Sequence, residues 1–143
     1  MTTSEAFLAL NLLPNVGPVR VKRLMEVFGS PEAILRAKAS QILQVDGFGR
    51  ELAETIASWE DKVDLQRELR RVAEMELTLL TQESPNYPPL LRETHAPPLV
   101  LYVWGEVIPR DFNAIGVVGS RQATHYCLQC AKTMSFQIAF AGF

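Results

Sequence analysis

The stretch VVGSRQATHY, residues 117–126, holds the residues best suited to chemistry. Gly119 has no side chain, so the backbone there can approach a ligand closely. Ser120 offers a hydroxyl and a candidate helix cap, and Arg121 offers a planar fork of donors matched to phosphate. A helix is expected to begin directly afterwards, and its first turn carries free N–H groups and a partial positive charge. Together these features compose an anion site at the carboxyl end of a sheet strand, where open α/β sheets bind ligands. The same residues also suit an ordinary capped strand–helix turn with a surface arginine, so spacing alone leaves both readings open.

Other chemistries are poorly represented. Gly116 and Gly119 are the only glycines at hand, so the G-x-G-x-x-G of dinucleotide binding is missing. No phosphate-binding P-loop and no G-x-S-x-G nucleophile elbow occurs. Cys127 and Cys130 form a C-x-x-C whose helical spacing puts both roughly on one face, where they are expected to pack inward as small structural residues. Zinc would need two further ligands, of which His125 could supply one. His95 lies far from His125 in sequence, and no acid pairs clearly with either. No cofactor, no metal and no covalent catalysis is expected, which favours a binding protein over an enzyme.

These residues need elements to position them. Ala114–Val118 (AIGVV) is a short apolar run without alternation, expected to be a strand buried on both faces of a parallel sheet. A helix from about His125 to Ala141 follows, with Gly142 placed for a left-handed cap. A strand–turn–helix unit calls for a second parallel strand. The chain stops at Phe143, so it is expected to be a piece of a longer protein, cut inside an α/β domain.

Upstream, residues 1–75 read as short helices. Val21, Leu24, Met25 and Phe28 share one helical face, as do Leu52, Ile56 and Trp59, and then Leu65, Leu69 and Val72. Gly29 is expected to end one helix, with Ser30-Pro31 capping and starting the next. Helices this short must pack on one another to be stable. Glu76–Thr81 and Leu99–Trp104 read as strands. Between them Pro85, Pro88, Pro89, Pro97 and Pro98 crowd one segment, which predicts an extended, irregular connection. The expected domains are therefore 1–75 and 76–143.

A faint repeat runs through the helical part. LPNVGPVRV (13–21) and VDGFGRELA (45–53) align so that Gly17 corresponds to Gly49, each leading into a helix. Paired helix-hairpin-helix turns have this look, although Asn15 stands where a first glycine is usual. Three roles stay open for such hairpins: a purely structural turn, direct contact with DNA, or contact with another protein.

Composition sets the outer bounds. The chain has 143 residues, 48% of them hydrophobic and 21% charged, enough to bury a core and unlike a disordered tail. Its net charge of −2 differs from that of a strongly basic nucleic-acid binder. A local basic patch would still serve, since charges beyond about 8 Å are largely screened at physiological salt. No apolar run of about 18 residues exists and the N-terminus lacks a basic lead, so neither a membrane span nor a signal peptide is expected. A cytoplasmic location follows as the expectation.

The blocks LPNVGPVRVKRLMEVFGSPEAIL, VDGFG, SPNYPPLLRETHAPPLVLYVWGE and AIGVVGSRQAT, then Tyr126 and AGF, occur in this order over most of residues 10–143. In this the chain resembles the DNA-processing protein A family (DprA, also called Smf). The resemblance implies an α/β protein: an α-helical domain of the SAM or helix-hairpin-helix type, followed by the start of an extended Rossmann fold. It implies binding of single-stranded DNA, help in loading RecA during natural transformation, and a homodimer built largely by the Rossmann domain. Gly119, Ser120 and Arg121 match the family's phosphate-binding GSR. Cys127 departs from the usual glycine after the tyrosine, and Trp104 stands where a basic residue is common. The competing classes are a Rossmann enzyme acting on a nucleotide or sugar-phosphate, and an N-terminal protein-interaction module.

Overall fold

The structure, a computed structural model, describes residues 1–108 and 114–143. Its contacts separate two compact units, Met1–Glu106 and Val107–Phe143.

The first unit opens with the helices α1 (Thr3–Leu12), α2 (Pro18–Phe28), α3 (Pro31–Arg36), α4 (Ala39–Ile42), α5 (Arg50–Ala57), α6 (Trp59–Lys62) and α7 (Leu65–Glu74). Their boundaries follow local chemistry. Thr2 caps α1 and shares a reciprocal capping box with Glu5. Gly29 turns left-handed at φ +80° to stop α2, and its N–H donates to the Met25 carbonyl. Ser30 accepts from the Ala33 N–H, and Pro31 opens α3. Val21 and Leu24 are buried on the expected face, with Met25 and Phe28 packed against them.

The repeat is genuine in three dimensions. In the register that sets Gly17 on Gly49, Leu10 and Ile42, Leu13 and Val45, Val16 and Phe48, Val21 and Ala53, and Leu24 and Ile56 are all buried. Asn15 and Gly47 both take the left-handed conformation, at φ +61° and +83°. Asparagine tolerates that region better than other side chains, so the departure at Asn15 preserves the turn. Gly17 and Gly49 then serve as N-caps of α2 and α5.

A two-stranded antiparallel sheet follows, β1 (Leu77–Thr81) against β2 (Val100–Trp104), with Leu79 opposite Tyr102. The sheet packs on α1 and α7, and Leu99 and Val100 join the helical core. The hairpin thus lies in the same compact unit as the helices. A short sheet must bury its apolar face somewhere, and the nearest apolar surface is that of α1.

The proline-rich connection is less irregular than expected. It contains a four-residue helix, α8 (Pro89–Arg92), and it is anchored from both sides. Proline has no N–H but keeps its carbonyl. Gln82 donates to the Pro97 carbonyl at 2.8 Å, and the Tyr87 hydroxyl donates to that of Pro98 at 2.9 Å. The Arg92 guanidinium lies over the Tyr87 ring, 5.6 Å from its centre.

Tyr102 ties the sheet to α7 by donating to Glu68 at 3.0 Å, and Arg71 reaches the same carboxylate at 3.3 Å. Burial, then the hydrogen bond to Glu68 and its negative charge, push the Tyr102 hydroxyl up to about 12. The folded state thus holds this proton more tightly than the unfolded chain, where tyrosine titrates near pH 10. The stabilisation is complete below about pH 10 and is lost as pH rises towards 12. Denaturant midpoints measured across that window should fall faster for the native protein than for Tyr102→Phe. Parallel curves would show that Tyr102 does not carry this dependence.

The second unit contains α9 (His125–Phe140), which Gly142 follows at φ +96°. Residues 114–118 are not a strand. They make no ladder with another described segment, and Val118 is 94% exposed. A parallel strand exists only through its neighbours' hydrogen bonds, so an apolar run alone cannot form one. Tyr126, Phe136 and Phe140 of α9 are also exposed, the two phenylalanines stacking at 6.4 Å.

Candidate nucleic-acid interface

The turn between the apolar run and α9 encloses a cavity of about 520 Å³. Its lining includes Gly119, Ser120, Gln122, Thr124, Cys127 and Leu128. Two short-range hydrogen bonds shape it. Ser120 Oγ accepts from the Gln122 N–H at 3.1 Å, folding the chain back on itself. Thr124 Oγ1 accepts from the Cys127 N–H at 3.3 Å and so caps the 16-residue α9. The cap is therefore Thr124 and not Ser120, which lies too far ahead of the helix and is engaged in its own turn. The extended ψ of 159° at Thr124 is the N-cap conformation, and a threonine directly before the helical run was the available signal.

Gly119 and Ser120 are thus brought together with the start of α9. A Cβ built on Gly119 would meet nothing within 4 Å, so the glycine leaves its side of the turn open to a ligand. Arg121 is exposed and does not line the cavity. Tyr126 is exposed in the first turn of α9. Cys127 is exposed and Cys130 is half-buried, so the expected inward packing of the pair is not what the fold shows. A helix packs a face inward only against another element, and within this unit Cys127 instead lines the cavity. Among the described residues no group of three or more histidine, cysteine or acidic side chains could hold a metal ion. No described helix is long and apolar enough to cross a membrane.

The two hairpin tips form a second polar surface. Arg20 donates to the Asn15 carbonyl in the first turn, and Arg23 donates to the Asp46 carbonyl in the second at 2.9 Å. Asn15, Arg20, Arg23, Asp46, Gly47 and Arg50 are all exposed there. Backbone N–H groups at the starts of α2 and α5 have no intrahelical acceptor, as at any helix start.

Residues 78–143 match the family described as DNA recombination-mediator protein A, and residues 7–58 match the SAM-like helix-hairpin-helix tandem. Over its whole length the chain is 30% identical, across 149 aligned positions, to Protein Smf of Synechocystis sp.. The chain is thus similar to the N-terminal portion of DprA/Smf family proteins. It spans 37% of the length of that Smf relative. A DNA ligase of Synechococcus sp. is 31% identical over 72 residues, half of this chain and 11% of the ligase. No solved structure matches significantly. The cavity at Gly119 lies inside the stretch matched to the DprA/Smf recombination-mediator domain, and both hairpin tips lie inside the tandem.

Proposed function

We propose that this chain is the part of a recombination mediator that holds single-stranded DNA by its phosphates, through Gly119, Ser120 and Arg121. It assists the loading of RecA during natural transformation. The observation that carries the reading is the cavity between the Gly119–Ser120 turn and the capped start of α9. The open backbone of Gly119 and the hydroxyl-bearing Ser120 and Thr124 border that space, and Arg121, next along the chain, carries a guanidinium suited to phosphate. Tyr126, exposed in the same helical turn, offers a face on which a base can stack. Nothing in this set forms or breaks a covalent bond, so the reading is a binding protein and not an enzyme.

In this reading residues 76–143 begin an extended Rossmann domain. The exposed apolar side chains of α9 would be covered by further strands of that domain and by its homodimer, in the cytoplasm. The hairpin tandem supplies a second grip on the DNA backbone, independent of sequence. The helix-hairpin-helix match and the likeness to a DNA ligase support that second contact.

Arg121→Ala in the intact protein should weaken single-stranded DNA binding by about 1–3 kcal/mol, the scale of a charge-assisted hydrogen bond. The loss should be equal for different sequences, because phosphates carry no base identity. The logarithmic salt slope should shrink by about 0.7 for one lost phosphate contact. Affinity and slope both unchanged would remove Arg121 from the site. Saturable binding of a mononucleotide with turnover would instead favour an enzyme acting on nucleotides.

A further inference from the structure

The two hairpin turns are closed in different ways. In the first, Arg20 reaches back from α2 of the same hairpin to the Asn15 carbonyl. The equivalent position in the second copy, which should do the same for its turn, is Leu52. Leucine has no donor, so the second hairpin cannot close itself in this way. Arg23, one helical turn beyond Arg20 on α2, holds this turn from outside by donating to the Asp46 carbonyl, one residue before Gly47, the position equivalent to Asn15. The residue equivalent to Arg23 in the second copy is Thr55, whose hydroxyl is spent on the Glu51 carbonyl of its own helix.

Gly47 fits this arrangement twice over. Its φ of +83° disfavours an L side chain. A Cβ there would also overlap the Arg23 guanidinium, so the glycine leaves the path by which Arg23 reaches Asp46. A single helix, α2, therefore holds both turns, through two arginines on adjacent turns of one face. A guanidinium carries five donors, so one bond to a turn carbonyl leaves donors over at each tip.

We propose that Arg23 is a positioning residue that couples the two hairpin tips, so that both meet a DNA backbone as one surface. The proposal rests on the reading of the hairpins as a DNA contact. Asp46 enters through its carbonyl. Holding that carbonyl against Arg23 fixes the turn that leads through Gly47 and Phe48 to the start of α5, where Arg50 is exposed.

The test measures binding of the intact protein to a labelled DNA strand of about 20 nucleotides, by anisotropy at several salt concentrations. Arg23→Ala, Arg23→Lys, Arg50→Glu and the Arg23→Ala, Arg50→Glu pair are compared, with a thermal melt of each. Arg50→Glu should weaken binding about tenfold, and Arg23→Ala by a similar factor, while the protein stays folded. Because Arg23 acts through the second tip, the double variant should be little weaker than the worse single one, whereas independent contacts would multiply. Arg23→Lys, which keeps one donor on a long stem, should recover part of the loss and covers the case in which Arg23→Ala fails to fold. Multiplicative losses, or full binding by Arg23→Ala alongside weakened Arg50→Glu, would overturn the coupling and leave the hairpin contact standing. Full binding by Arg50→Glu would overturn the hairpin contact itself, and the coupling with it.

Discussion

A chain ending at residue 80 is expected to lose cooperative folding, whereas one ending at residue 106 keeps it. The helices alone look self-sufficient in sequence, yet their core is finished from outside. Leu99 and Val100 are buried against it, and β1 and β2 both pack on α1. Tyr87, 1% exposed, belongs to the same removed stretch. Each such side chain contributes about 1.5–3 kcal/mol when fully buried. Leu99 and Val100 together amount to about 3–6 kcal/mol, a large part of the stability of a small domain. Limited proteolysis of the intact chain should accordingly leave a resistant product ending near residue 106. A stable product ending near 80, or a sharp unfolding transition from the shorter chain, would show that the hairpin merely decorates the helices.

Tyr87→Ala should destabilise the first unit by about 3–5 kcal/mol, the usual loss for a large aromatic removed from a packed core. Tyr87 is the largest fully buried side chain among the described residues, and it sits in a segment outside the main helices and strands. Its ring fills space beneath the proline-rich connection, its hydroxyl satisfies the Pro98 carbonyl, and Arg92 covers its face. Burial pushes the Tyr87 hydroxyl up from its ordinary value, consistent with a group held neutral in the interior. Tyr87→Phe isolates the hydrogen bond and should cost about 0.5–1.5 kcal/mol. Denaturant unfolding of both variants checks the pair. Equal losses would mean that the hydroxyl, and not the ring, carries the stability.

Much of the helical part was legible because its signals are local. Gly29, Ser30 and Pro31 stop one helix and start the next through φ preference and capping, which depend on a few neighbouring residues. The correspondence of Gly17 with Gly49 was visible as well, and five pairs of buried residues repeat in the same register. The GSR turn before a helix was equally plain, since glycine, a hydroxyl and a guanidinium announce their chemistry by type.

What sequence could not supply depends on partners distant along the chain. Ala114–Val118 has the composition of a buried strand, but a strand is defined by its neighbours' hydrogen bonds, and no described segment provides them. Cys127 and Cys130 share a helical face, yet burial requires something opposite that face. That the hairpin of β1 and β2 packs against the helical core depended on the apolar surface that α1 left open. The bond from Arg23 to Asp46 joins two copies of a repeat that are well separated along the chain. No local rule predicts it, because it arises only when the fold brings α2 and the second turn side by side.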